Sequence, residues 1–179
     1  MEIKNPENFS KKHDYLDNKA YVEKIDPTLK INDLYEKRLI EHYPCRNEEL
    51  EGKKHPDTGV IFERKTVEDS EGNKIEVVVP RFDSVFDTKL PEDKLLASDK
   101  EQFKECNKKL AEAIEKDPDL KSKFTKEQIE QIKNGDTPDG YTWHHDAEKG
   151  KMQLVDSETH AKTGHTGGRT IWGGGSENR

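Results

Sequence analysis

Tyr141-Thr142-Trp143-His144-His145, then Met152-Gln153-Leu154-Val155, then His160 and His165-Thr166-Gly167-Gly168: this C-terminal run decides the fold. The first two segments are β-prone, and the stretch from Asp146 to Lys151 between them contains Gly150, so they predict a hairpin. Neighbouring side chains of a strand point to opposite faces. His144 and His145 can therefore hold different jobs, one facing a metal ion and the other a substrate. Asp156 or Ser157 is placed to cap a short helix carrying His160. Along a continuous helix, five residues turn through about 500° and leave the rings of His160 and His165 about 140° apart. The two can share an ion only if the helix stops between them. Gly164 is expected to stop it in the left-handed conformation that follows many helices.

Upstream of this run the pattern is mixed α and β. Gly59 to Pro80 predicts another hairpin. Val60-Ile61-Phe62 through Val67 and Lys74 through Val79 are rich in β-branched residues, and Glu68 to Asn73 carries turn residues. The continuous Val77-Val78-Val79 implies a strand covered on both faces, and Arg81 to Phe86 is expected to prolong the sheet. Ser98-Asp99-Lys100-Glu101 reads as a capping box. It opens a helix with Phe103, Cys106, Leu110, Ala113 and Ile114 on its apolar face, running to about Lys116. Thr125-Lys126-Glu127-Gln128 opens a second helix, ended by Gly135. Residues 1–50 read as a polar arm or linker with one short helix begun at Asn32 and ending before Tyr43. Residues 51–179 read as the functional domain.

Composition limits the function. Hydrophobic residues are 29% and charged residues 39%, with a net charge of −7, which argues against a broad basic face for nucleic acid. From Thr137 onward there are five Lys/Arg against six Asp/Glu, so any anionic substrate must be held locally, with help from a metal's charge. No stretch reaches the roughly 20 apolar residues of a membrane span. Cys45 and Cys106 do not make a disulfide framework. Four of the seven histidines lie in the last 36 residues. Imidazole is the commonest transition-metal ligand, with an ordinary pKa of about 6.5. His13, His42 and His55 read as surface residues, Trp143 and Trp172 as core or lid, and Gly173-Gly174-Gly175-Ser176 as a flexible tail.

A hairpin carrying one ligand, followed by a helix carrying the others, is the ββα-metal arrangement. Here the sequence resembles the WHH group of the HNH/endonuclease VII superfamily, toxin nucleases found at the C-termini of bacterial polymorphic toxins and distantly similar to the colicin DNases. The resemblance is carried by Tyr141 to His145, Met152 to Val155, His160 and His165 to Gly168, within about 140–172. It implies an α+β fold with a ββα-metal (His-Me finger) core behind the upstream hairpin and helices. It also implies that His144, His160 and His165 are metal ligands and His145 the general base. The His160–His165 spacing is five where the colicin DNases have four, and Thr142 stands where they have a glutamate.

The activity implied is metal-dependent hydrolysis of DNA phosphodiesters by a secreted or delivered effector acting in the cytoplasm of a target cell. The implied partners are DNA and a cognate immunity protein. Three imidazoles favour Zn, Ni, Co or Mn as the single divalent ion, with a largely hydrated Mg also compatible. Arg169 and Arg81 are candidates for binding the substrate phosphate. Two other readings fit the same histidines: a toxin nuclease acting on RNA, and a non-catalytic zinc-binding interaction domain whose four ligand positions are all filled.

Overall fold

The computed structural model describes residues 40–178. Most of the helix expected from Asn32, and His13 with it, lies outside them. The described chain from Glu41 onward is α+β, with two three-stranded sheets and five α-helices. The helix expected to run up to Tyr43 is not helical at its end. Glu41–His42 form a short strand, β1, whose backbone is drawn to the open edge of β3 in parallel, extended by the bond from Tyr43 N to Glu76 O at 2.8 Å.

The first sheet has the order β1-β3-β2, with β2 at Ile61–Glu68 and β3 at Lys74–Arg81. The hairpin pairs β2 with β3 antiparallel in unbroken register, Val67 opposite Ile75 and Arg64 opposite Val78. Its turn is set by Asp69, whose Oδ1 accepts from the backbone of Glu71 and Asn73. Val77, Val78 and Val79 are all buried, as their continuous run implies for a strand covered on both faces.

The sheet does not continue past Arg81 as expected. The chain leaves it at Phe82-Asp83, and Ser84–Lys89 becomes β4 of a second sheet. There, β6 (Lys151–Asp156) is central, flanked by β4 and by β5 (Tyr141–His145), all antiparallel. A sheet centred on the buried Met152, Leu154 and Val155 needs a second neighbour for β6, and the segment after Phe82 supplies it.

Helix α1 (Asp99–Lys116) is capped by Ser98, whose side chain accepts from Glu101 N. It buries Cys106, Leu110 and Ile114. Helix α2 (Pro118–Ser122) starts on an Asp117 cap, and α3 (Lys126–Lys133) carries the complete Thr125/Gln128 capping box. These helices share one apolar core with β3, β5 and β6, in which Leu110, Ile114, Ile132, Met152, Leu154 and Trp172 are almost wholly buried. Both cysteines are buried free thiols. Burial pushes the Cys106 thiol up to about 12. Among the described residues, no helix is long and apolar enough to cross a membrane.

Two smaller expectations are corrected. His55 is buried, its ring stacked on Phe62 and its backbone N bonded to Val60 O. The Gly173–Ser176 stretch is no loose tail. Gly173 is buried where a Cβ would press on the Arg169 backbone, and a 3₁₀ turn follows over Gly175–Asn178.

Candidate metal centre

The β5–β6 hairpin aims the two adjacent histidines apart, as strand alternation requires. Trp143 and His145 face α1. Trp143 Nε1 donates to Asn107 Oδ1 at 2.7 Å, and His145 Nε2 lies 2.7 Å from Gln102 Oε1. His144 faces the other way, against Phe82, His160 and His165.

After β6, Asp156 caps α4 (Ser157–Lys162) by accepting from Thr159 N at 2.7 Å. This puts His160 on the helix face beside His144. The helix then ends at Thr163, one residue before the expected stop. Its hydroxyl donates to Thr159 O at 2.8 Å and shares a 2.7 Å hydrogen bond with Thr58. The required break between His160 and His165 is therefore present, but Gly164 is not left-handed. Its lack of a side chain serves another contact: a Cβ there would strike the Arg46 guanidinium, with Cζ at 2.7 Å. The loop is stitched to the segment after β1 by Asn47 Nδ2 donating to Gly164 O at 2.7 Å and Arg46 N to Thr166 Oγ1 at 2.9 Å.

The chain thus returns His165 to the other two histidines. One ligand atom from each of His144, His160 and His165 lies within 4.8 Å of the others. His144 Nδ1 and His160 Nε2 are 3.2 Å apart. Nitrogens about 2.0–2.1 Å from a tetrahedral ion stand about 3.3 Å from each other, so this pair already has the spacing of a coordination edge. His165 Nδ1 is 2.6 Å from Thr163 O. A carbonyl only accepts, so Nδ1 carries the hydrogen and Nε2 offers its lone pair, the usual second-sphere arrangement of a metal-binding histidine.

Electrostatics agree with this arrangement. Burial, then the neighbouring His165 and His160, holds His144 well below the usual imidazole range. Burial brings His160 down to about 4, and burial also lowers His165 despite the Thr163 carbonyl. Phe82 closes the apolar side, its ring centroid 4.8–5.3 Å from all three imidazoles. The residues therefore fit a resident divalent ion. Among the described residues the cluster supplies three ligands and no fourth. Such a set leaves positions for substrate or water, whereas a structural zinc site is filled.

His145 and Arg169 line the same cleft of about 190 Å³ as the three ligands. Arg169, on α5 (Gly168–Ile171), is buried. Its Nη1 donates to Ala97 O at 3.0 Å and Gln102 Oε1 at 3.1 Å, and its Nε lies 3.2 Å from Asp99 Oδ1. Arg81 is not brought to this cleft. It is 61% exposed, beside Glu63, and borders a different one with Thr58, Asp83 and Thr159. The Gly167-Gly168 pair lets α5 approach closely: a Cβ on Gly168 would overlap the Asp146 carbonyl oxygen and the Trp172 indole nitrogen. Sequence reasoning missed Arg46, Phe82, Asp99 and Gln102. Of these only Asp99 carried a signal, through the capping box.

A hairpin and a short helix that bring three neutral imidazoles to one point, with a fourth beside them, define a hairpin–helix site in an α+β domain that could hold a metal ion. The family model of the DNase/tRNase domain of colicin-like bacteriocin matches residues 72–167, more than half of the chain, including all four histidines of the site and Gln102. The chain belongs to that family and carries a toxin nuclease domain. No curated protein and no solved structure gives a significant match.

Proposed function

We propose that this domain is a metal-dependent endonuclease of the HNH, WHH type that hydrolyses DNA phosphodiester bonds. On this reading it is a delivered effector acting in the target-cell cytoplasm, with a cognate immunity protein guarding the producer. The observation that carries the reading is the three-ligand cluster, open on the side of the cleft that also holds His145. The same openness favours a nuclease over a filled zinc-binding interaction domain.

His144 Nδ1, His160 Nε2 and His165 Nε2 would hold one divalent ion, of which Zn, Ni, Co and Mn suit imidazole best. When bound, such an ion would supply positive charge to stabilise the developing charge of phosphodiester cleavage. His145, turned from the cluster but lining the cleft, takes the proton of the attacking water, a role worth about 10²–10⁴-fold. The exposed Arg46 lies over Gly164 beside His165 and offers a guanidinium to the phosphate. Arg169 adds its charge from the cleft wall, whereas Arg81, on a separate cleft, could only contact substrate outside the histidine cleft. The working domain takes in residues from Glu41, since β1, Arg46 and Asn47 are built into it.

Nicking of supercoiled plasmid beside a tRNA control tests this. The expected result is plasmid cleavage that EDTA abolishes and that His145→Ala removes, while calorimetric Zn²⁺ affinity stays within a few-fold. Cleavage of tRNA alone would overturn the substrate. Loss of Zn²⁺ binding in His145→Ala would reverse the roles of the histidine pair.

A further inference from the structure

We propose that Gln102 is a positioning residue for this reaction. It keeps the proton of neutral His145 on Nε2 and so presents Nδ1 as the basic atom. The inference rests on the reading of His145 as general base.

Gln102 sits in the first turn of α1, wholly buried. Its amide nitrogen lies 2.8 Å from Lys94 O and 2.9 Å from Leu95 O. Both partners are carbonyl oxygens, which only accept, so this end of the amide is the NH₂ group and its orientation is settled by its neighbours. The opposite end, Oε1, is then an acceptor. It faces two nitrogens: Arg169 Nη1 at 3.1 Å and His145 Nε2 at 2.7 Å. Since Oε1 has no hydrogen to give, the hydrogen of that 2.7 Å bond belongs to His145 Nε2. Asp99 Oδ1, 3.8 Å from the same nitrogen, is another acceptor on that side of the ring. A neutral imidazole carries a single N–H, which leaves the lone pair on Nδ1.

The buried amide thus uses all four of its hydrogen-bonding positions, two donated and two accepted. Phe103 and Trp172 flank the His145 ring, with centroids 5.8 and 5.7 Å away. Flanked in this way, the ring is held in the orientation that the Gln102 bond selects. A merely structural Gln102 would tie α1 to β5 without caring which ring nitrogen is protonated. A positioning Gln102 would care.

The test uses the full chain with ¹⁵N-labelled histidine, above the ordinary imidazole titration range. Long-range ¹H–¹⁵N spectra separate protonated from unprotonated ring nitrogens, and His145 is assigned by its absence from His145→Ala. In the wild type, Nε2 should be the protonated nitrogen. Gln102→Met, similar in volume but without an acceptor, should show both tautomers of His145. Its kcat on plasmid should fall about 10–100-fold, the usual cost of losing a second-sphere partner, while KM and Zn²⁺ affinity stay within a few-fold. Gln102→Glu keeps an oxygen for Nε2 and should restore the tautomer and recover kcat relative to Gln102→Met. It should do so at a cost in stability, because its second oxygen faces the Lys94 and Leu95 carbonyls that the amide NH₂ bonded. A wild-type His145 protonated on Nδ1 overturns the proposal, as does a Gln102→Met protein with wild-type tautomer and kcat. If Gln102→Met does not fold, the wild-type spectrum and Gln102→Glu still decide. Full activity in His145→Ala would instead sink the general-base reading, and the measured tautomer would be unaffected by it.

Discussion

Lowering the pH from 7.5 to 5.5 should barely weaken metal binding. Protons compete with a metal for imidazole lone pairs. An ordinary imidazole with a pKa of about 6.5 is about 90% protonated at pH 5.5, so each such ligand would cost about tenfold in affinity. Three would cost about 10³-fold, or about 4 kcal/mol at 1.36 kcal/mol per pH unit. The ligands of this site are not ordinary. His160, brought down to about 4 by burial, is still about 97% neutral at pH 5.5 and contributes almost nothing to the loss. His144 is held well below the usual range and His165 is lowered, both chiefly by burial. The sign follows: a depressed imidazole pKa moves the competing protonation to lower pH, so affinity persists into mild acid and collapses only below it. Calorimetric titration of Zn²⁺ into the full chain at the two pH values measures this directly. The expected loss is far smaller than the reference value. A loss near 10³-fold would mean that the three rings titrate as if in water, and that the buried, Phe82-walled cluster does not describe the metal-free protein.

Two glycines give further tests. Gly168→Ala places a Cβ into the Asp146 carbonyl oxygen, which is backbone and cannot swing aside. It should cost about 3 kcal/mol or more in denaturant unfolding, and a variant as stable as the wild type would mean that α5 does not approach β5 this closely. Gly164→Ala meets only the far end of the Arg46 side chain. It should leave stability and Zn²⁺ affinity intact while raising KM for plasmid, and lost Zn²⁺ affinity would restore a backbone role for Gly164.

The second hairpin and the capped helices were legible because each rests on local rules: strand alternation, side-chain capping, helical periodicity. The choice of His144 rather than His145 to join His160 and His165 came from the family resemblance, since alternation alone leaves the pair interchangeable. The reason for a glycine at position 164 was not legible. It is an arginine 118 positions upstream packing over Gly164, and sequence spacing carries no information about such a contact. The switch of Ser84–Lys89 to the second sheet was hidden for a similar reason. Its β-prone residues suit either sheet, and only the vacant side of β6 decides. Gln102 was passed over because the apolar face of α1 was read from Phe103, Cys106 and Leu110. A buried polar residue among them looks like a surface position until its four partners are seen.

The site also depends on parity. His144 reaches His160 and His165, and His145 reaches Gln102, because β5 is locked to β6 with His144 opposite Gln153 and His145 opposite Met152. A slip of one residue turns every side chain of a strand to the other face. Here it would exchange the two imidazoles without altering either, and would swing Trp143 away from Asn107. Inserting one residue within β5 would thus scramble the site while every ligand remained in the sequence. What encodes the chemistry is the order of odd and even positions as much as the histidines themselves.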